Sequence, residues 1–265
     1  MTLLTESSPG LLTEVLRGDR TRRPHRDDST AAGLRAVLED YVFEIFGSER
    51  RERGVIISSA TMCRGDQSRA TTDFSLGRAR GVAISTLLRL LVAQVHVENP
   101  YDDALAAWRG ERPNDELLSA VDHLDADQTA RLRADVDAHF LTLARGIGTI
   151  SSNWWPRTSQ RANQMLGGGN VQLRDVVDLV VGSTYSDLAS VVLVDVTTSP
   201  LAQGAERVMR FHALVQTLRV SVVPLRTSIF SSATGEFWTL DVDNELLVRA
   251  VDDLVHTLAI VKDAP

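Results

Sequence analysis

The chain has 265 residues, 43% of them hydrophobic, and a formal net charge of −7, so it carries enough apolar surface for a full core. Its one cysteine, Cys63, excludes a disulfide framework and any four-cysteine iron–sulfur or zinc site, and its six histidines form no ligand-spaced motif. No apolar run reaches membrane-spanning length and no basic-then-apolar leader opens the chain, so neither a membrane helix nor a signal peptide is expected, and the expected compartment is a reducing cytoplasm.

Residues 1–30 are polar and read as a flexible basic arm, with Arg17, Arg20, Arg22, Arg23 and Arg26 clustered after a short leucine-rich stretch. Such an arm either tracks a phosphate backbone or is a plain solvated terminus. Residues 31–265 read as a single α/β domain. Asp28, Ser29 and Thr30 offer a helix cap, and Leu34, Val37, Leu38, Tyr41, Val42, Ile45 and Phe46 recur with helical spacing up to Gly47.

From Gly47 to Arg89 the balance turns basic, with a loop around Arg64 to Phe74 feeding a helix expected from about Gly77 to Val97. Arg64, Arg69 and Arg80 are the candidate nucleic-acid contacts, the alternative being an ordinary solvated basic face. Residues 98–139 reverse the sign, with eleven acids against four arginines. They carry two apolar helical stripes, broken at Pro113 and at Asp125 to Gln128, and predict an acidic helical insertion over about 98–145. Its surface is expected to face away from nucleic acid, toward a basic partner or simply toward solvent.

The least regular stretch is Arg145 to Asn170. Gly167-Gly168-Gly169-Asn170 has no lysine or Ser/Thr at phosphate-loop spacing and reads as a hairpin turn into a following strand, while Trp154 and Trp155 either stack on bases or plug a core edge. Two β-branched runs come next, Val176 to Val181 and Val191 to Val196, each holding one aspartate, Asp178 and Asp195. A buried acid among valines needs a metal ion or a hydrogen-bond donor. Alternation puts Asp195 and Thr197 on one strand face. An amphipathic helix follows with Val208, Phe211, Val215 and Leu218 inward, then strand segments at Val220 to Val223, Thr227 to Phe230 and Glu236 to Leu240, and a last helix from Leu246 to Ile260 capped by Asp243 or Asn244.

This layout resembles the PD-(D/E)XK nuclease superfamily in its RecB-like and Cas4-like branch. Arg174-Asp175-Val176-Val177-Asp178 is similar to that family's Arg-Gly-x-Ile-Asp strand, and Asp195-Val196-Thr197 to its acid-x-lysine triplet with threonine in place of lysine. Gly81 to Ser85 resembles its Gly-x-x-x-His helix start with Ser85 in the histidine position. Arg210 and Leu214 stand where Gln-x-x-x-Tyr belongs, Gln160 where some relatives place a glutamate ligand, and Ile57 to Arg64 resembles its Ser-x-x-x-x-Cys helix. The resemblance implies a mixed central sheet flanked by helices, a catalytic set at Asp178, Asp195 and Thr197, and Mg²⁺ or Mn²⁺ held by Asp178 and Asp195. Lys262 is the only lysine, so no other lysine can migrate into the missing position, and arginine stays charged and moves protons poorly. The implied function is a degenerate nuclease-fold subunit, a pseudoenzyme in DNA processing or antiviral and mobile-element defence, with DNA and a protein as partners and no membrane. Two alternatives stand beside it: an active Mg²⁺-dependent nuclease, and a purely structural interaction subunit.

Overall fold

The amphipathic repeat after Thr30 folds as α1 (Ser29–Phe46) in a computed structural model that describes residues 29–48, 54–64, 75–185 and 189–262. The basic arm lies outside the described residues. Leu38 and Val42 of α1 are fully buried, and Glu39 reaches across to accept a hydrogen bond from the Gly167 N–H at 2.6 Å. A short strand, β1 (Val55–Ser58), leads into the one-turn helix α2 (Ser59–Arg64).

The next helix, α3 (Leu76–Val92), is started by Ser75, whose Oγ accepts from the Arg78 N–H at 3.1 Å. It stops five residues before the expected end, where Gln94 takes a positive φ of 57°. The acidic insertion forms three helices: α4 (Pro100–Glu111), α5 (Glu116–Asp122) and α6 (Ala126–Ile147). The predicted break at Asp125 is a capping box in which Asp125 and Gln128 satisfy each other's backbone N–H. Trp108, Leu132, Val136 and Leu143 bury the apolar stripes of these helices against α3 and one face of the sheet.

The sheet has six strands: β1, β2 (Arg157–Leu166), β3 (Val171–Val181), β4 (Val192–Thr197), β5 (Arg226–Ser231) and β6 (Phe237–Asp241). β2 and β3 form a long antiparallel hairpin turning on Gly167 to Gly169, as the glycine run predicts. β3 and β4 are antiparallel; β4 and β5 are parallel and joined by α7 (Gly204–Val220), and β6 closes the edge antiparallel to β5. The helix α8 (Asn244–Val261), capped by the Asp243 side chain on the Leu246 N–H at 2.8 Å, packs with α1, α2 and α7 on the second face.

Two expectations need correction. β2 falls in the stretch read as least regular, because RTSQRANQML carries polar side chains on both faces of a strand that forms one edge of the sheet. The Val220 to Val223 segment is not a strand: α7 runs to Val220, and Ser221 takes the left-handed conformation at φ 54° to turn the chain toward β5. The architecture is α/β, a mixed sheet flanked by helices on both faces. No helix among the described residues is long and apolar enough to cross a membrane.

Candidate functional site

One edge of β3 pairs with β2 along its whole length, while the other edge is shared: β1 takes Val171 to Arg174 and β4 takes Leu179 to Val181. Residues 175–178 lie in the gap between these two neighbours. Their backbone has lost a strand partner there, and the side chains substitute for it. Asp175 Oδ1 accepts from the Val176 N–H at 3.0 Å, and Asp178 Oδ2 accepts from the Val196 N–H of β4 at 2.9 Å.

Strict alternation puts residues 175 and 178 on opposite faces of a strand. In the structure the pleat changes phase. Leu173 packs toward α7 and Val176 lines a cavity under α3, whereas two positions farther on Asp178 meets Asp195, whose parallel neighbour Ile229 faces α7. Opposite Asp178 in the β2 register stands Ser159, with φ at 50°. This break brings Asp175, Asp178, Asp195 and His212 of α7 into one cluster.

His212 is 1% exposed and its Nδ1–H donates to the Asp175 carboxyl, 2.9 and 2.8 Å from the two oxygens; Asp175 is itself 3% exposed. His212 Nε2 stands 3.8 Å from Asp195 Oδ2, an ion-pair distance too long for a hydrogen bond. Asp178 and Asp195 are near enough for the charge of Asp195 to act on Asp178.

These contacts set the charges. Burial and then the Asp195 charge push the Asp178 carboxyl well above its usual range, which favours its protonated form. Burial also raises Asp195, but the neighbouring His212 outweighs it and leaves the Asp195 carboxyl below its usual range. Burial alone lowers His212, yet the Asp175 charge and hydrogen bond, followed by Asp195, carry it well above the ordinary histidine value. These directions favour the proton on Asp178, the charge on Asp195 and the imidazolium form of the His212 ring that Asp175 holds.

Thr197 is committed elsewhere. Its Oγ1 accepts from the Ser199 N–H at 3.1 Å and its carbonyl from Ser232 N–H and Oγ at 2.8 and 3.0 Å. Among the described residues no hydrogen bond joins it to either aspartate. Ser85 lines a cavity of about 580 Å³ between α3, Ser159, Arg161 and Val176, which neither aspartate lines. Gln160 sits on β2 opposite Val177, Arg210 is ion-paired to Asp253 at 2.7 Å and Glu206 at 3.3 Å, and Leu214 is core.

Of the three arginines singled out, Arg69 and the side chain of Arg64 lie outside the described residues. Arg80 binds Asp135 of α6 at 3.1 Å and the Thr198 carbonyl at 3.4 Å, and Arg89 binds Glu111 of α4 at 2.6 Å. The acidic helices therefore do not turn away from the basic helix: they neutralise it. His212 and Asp175 were missed by the sequence reading. The available signal was a lone imidazole in a helix whose residues from Met209 to Leu218 are almost all apolar or uncharged.

A divalent cation does not fit these residues as they stand. Asp178 gives Oδ2 to a backbone N–H, the buried His212 ring stands 3.8 Å from Asp195, and no three His, Cys, Asp or Glu side chains among the described residues converge on one point. No family model and no curated protein matches the sequence. A solved structure described as the crystal structure of SSO0001 aligns with 87% of this chain and 86% of its own, at 10% identity and a TM-score of 0.31, a likeness too weak to carry any argument.

Proposed function

We propose that this chain is a degenerate PD-(D/E)XK nuclease-fold subunit of the cytoplasm, acting in DNA processing or mobile-element defence by binding nucleic acid or a partner protein without efficient cleavage. The observation that carries this reading is what surrounds the acid pair. Asp178 and Asp195 stand on neighbouring strands, but Asp178 Oδ2 is taken by the Val196 N–H and the buried His212 ring stands 3.8 Å from Asp195, where a metal ion would be needed. Without a metal or a proton-moving lysine the pair has no means to activate water.

The order of elements supports the family part of the reading. Helices precede a hairpin whose second strand bears Asp178, the next strand bears Asp195-x-Thr197, and a helix then crosses to a parallel strand. For the nucleic-acid part, support comes from the cavity under α3, where Arg89 pairs with Glu111 and Arg112 with Asp115 while the exposed Arg161 joins no ion pair among the described residues. This moves the expected phosphate surface from Arg80 to the sheet side of the helix.

The test is cleavage of single- and double-stranded DNA with Mg²⁺ and with Mn²⁺, alongside a gel shift on the same substrates. Binding without product is expected. Robust cutting that disappears in Asp195→Ala would make the chain an active nuclease instead, and neither binding nor cutting would leave only the interaction-subunit reading.

A further inference from the structure

A second cavity, of about 630 Å³, opens at the far end of β3, where that strand stops at Val181 and β2 begins at Arg157. Two adjacent tryptophans part company at its rim. Trp154 packs against the core, whereas Trp155 is 63% exposed and lines the cavity together with Tyr185, which is 85% exposed. Trp155 takes the left-handed conformation, φ 53° and ψ 53°, which a bulky side chain adopts only when its surroundings hold it there.

Gly182 is what holds it. Its N–H donates to the Trp154 carbonyl at 2.7 Å and its own carbonyl accepts from Arg157 Nη2 at 3.0 Å. At φ +94°, with any Cβ falling 2.1 Å from the Ser190 carbonyl oxygen, the position admits only glycine. The frame thus sets Trp155 and Arg157 in the wall of one cavity, which Tyr185 also lines.

The Arg157 guanidinium has no counter-charge among the described residues. Arg157 joins no ion pair among the described residues, its Nε is buried without a hydrogen-bond partner, and no acid among the described residues lines the cavity. Burial and the neighbouring Arg219 both make its charge costlier. A half-buried cation flanked by open aromatic faces is complementary to a planar group carrying negative charge. The volume falls within the usual range of small-molecule sites, roughly 300–1,000 Å³.

We propose that this cavity binds a nucleotide, its base stacked on Trp155 or Tyr185 and its phosphate on Arg157, either as a free mononucleotide or as the terminal nucleotide of a single strand. The site is separate from the acid cluster and stands whether or not that cluster cuts. Isothermal titration of the full chain would use deoxyadenosine monophosphate, deoxyadenosine, inorganic phosphate, and a short oligothymidylate with and without a 5′-phosphate. The expected result is saturable binding of the monophosphate and weaker binding of each half.

Trp155→Ala and Tyr185→Ala, both surface changes, should each weaken the monophosphate by at least about fivefold, the low end for one base–aromatic stack. Arg157→Gln should weaken the phosphate-bearing probes and spare deoxyadenosine. Tighter binding of the 5′-phosphorylated strand than of the mononucleotide assigns the site to strand ends, and the reverse order to free nucleotides. Absence of saturable binding by every nucleotide probe, or affinity unchanged in both aromatic variants, would overturn the proposal.

Discussion

Asp178 and Asp195 stand across from each other at the first position where β3 and β4 cease to pair, beyond Leu179 and Val194, and the charge of one acts on the other. Like charges facing each other across a ladder repel, so a pair this close keeps one proton between them. The strands part because the Asp178 side chain takes the Val196 N–H that a backbone carbonyl would otherwise bind.

This cluster makes stability depend on pH in a definite direction. Asp178 is raised from 3.8, so its stabilising contribution is complete at low pH and is lost as pH climbs through the raised value. His212 is raised from 6.5, so its contribution is complete below 6.5 and is lost as pH rises through its folded value. Asp195 is lowered from 3.8, so its contribution exists above 3.8 and is lost as pH falls through its folded value. Thermal unfolding between pH 6 and 9 should show Tm falling toward the alkaline end. In Asp178→Asn, which keeps a neutral hydrogen-bonding group, the fall should be smaller.

Removing the imidazole should be more damaging than removing its charge. His212→Ala leaves the 3%-exposed Asp175 carboxyl without its cation, and breaking a buried pair in this way costs about 3–5 kcal/mol. His212→Gln retains a donor toward Asp175 and should recover part of that loss. Urea unfolding at pH 7 checks both, and equal midpoints for the two variants would show that the hydrogen bond contributes nothing.

The arginines separate into engaged and available. Arg80→Ala breaks one partly exposed ion pair, so its stability cost should stay within about 1 kcal/mol and DNA affinity should hardly change. Arg161→Ala, an exposed side chain at the cavity under α3, should weaken DNA binding and reduce the salt dependence by about one released ion. Gel shifts at two salt concentrations decide, and identical curves for the two variants would remove the distinction.

The hairpin is docked through its turn. Gly167 has φ +57°, and a Cβ there would meet Val42 Cγ1 of α1 at 2.2 Å. Gly167→Ala should therefore destabilise the protein by at least about 1 kcal/mol, read as a lowered urea midpoint.

Much of this fold was legible because local signals agreed with tertiary ones. The helical periodicity of α1 and α8, the Asp125 box and the glycine turn each specify their element without outside help. β2 was not legible, since its polar alternation meets no core on one side. The two valine strands pointed to Asp178 and Asp195, whereas strict alternation along a regular strand would put Asp175 on the opposite face from Asp178. Only the pleat break opposite Ser159, a tertiary event with no sequence marker, brings Asp175 and His212 into contact with the acid pair. Arg80 misled for a related reason: its charge is visible in sequence, whereas its partner Asp135 is 55 residues away.

The central claim is that a proton and an imidazolium occupy the electrostatic place of a metal ion. The most direct measurement is nitrogen-15 NMR of the histidine-labelled protein at pH 7.5, with the His212 signal among the six histidines assigned by loss in His212→Gln. The account predicts both ring nitrogens of His212 protonated, unchanged on addition of Mg²⁺. A neutral His212 ring at that pH, or a ring that loses its proton as Mg²⁺ is added, would contradict it.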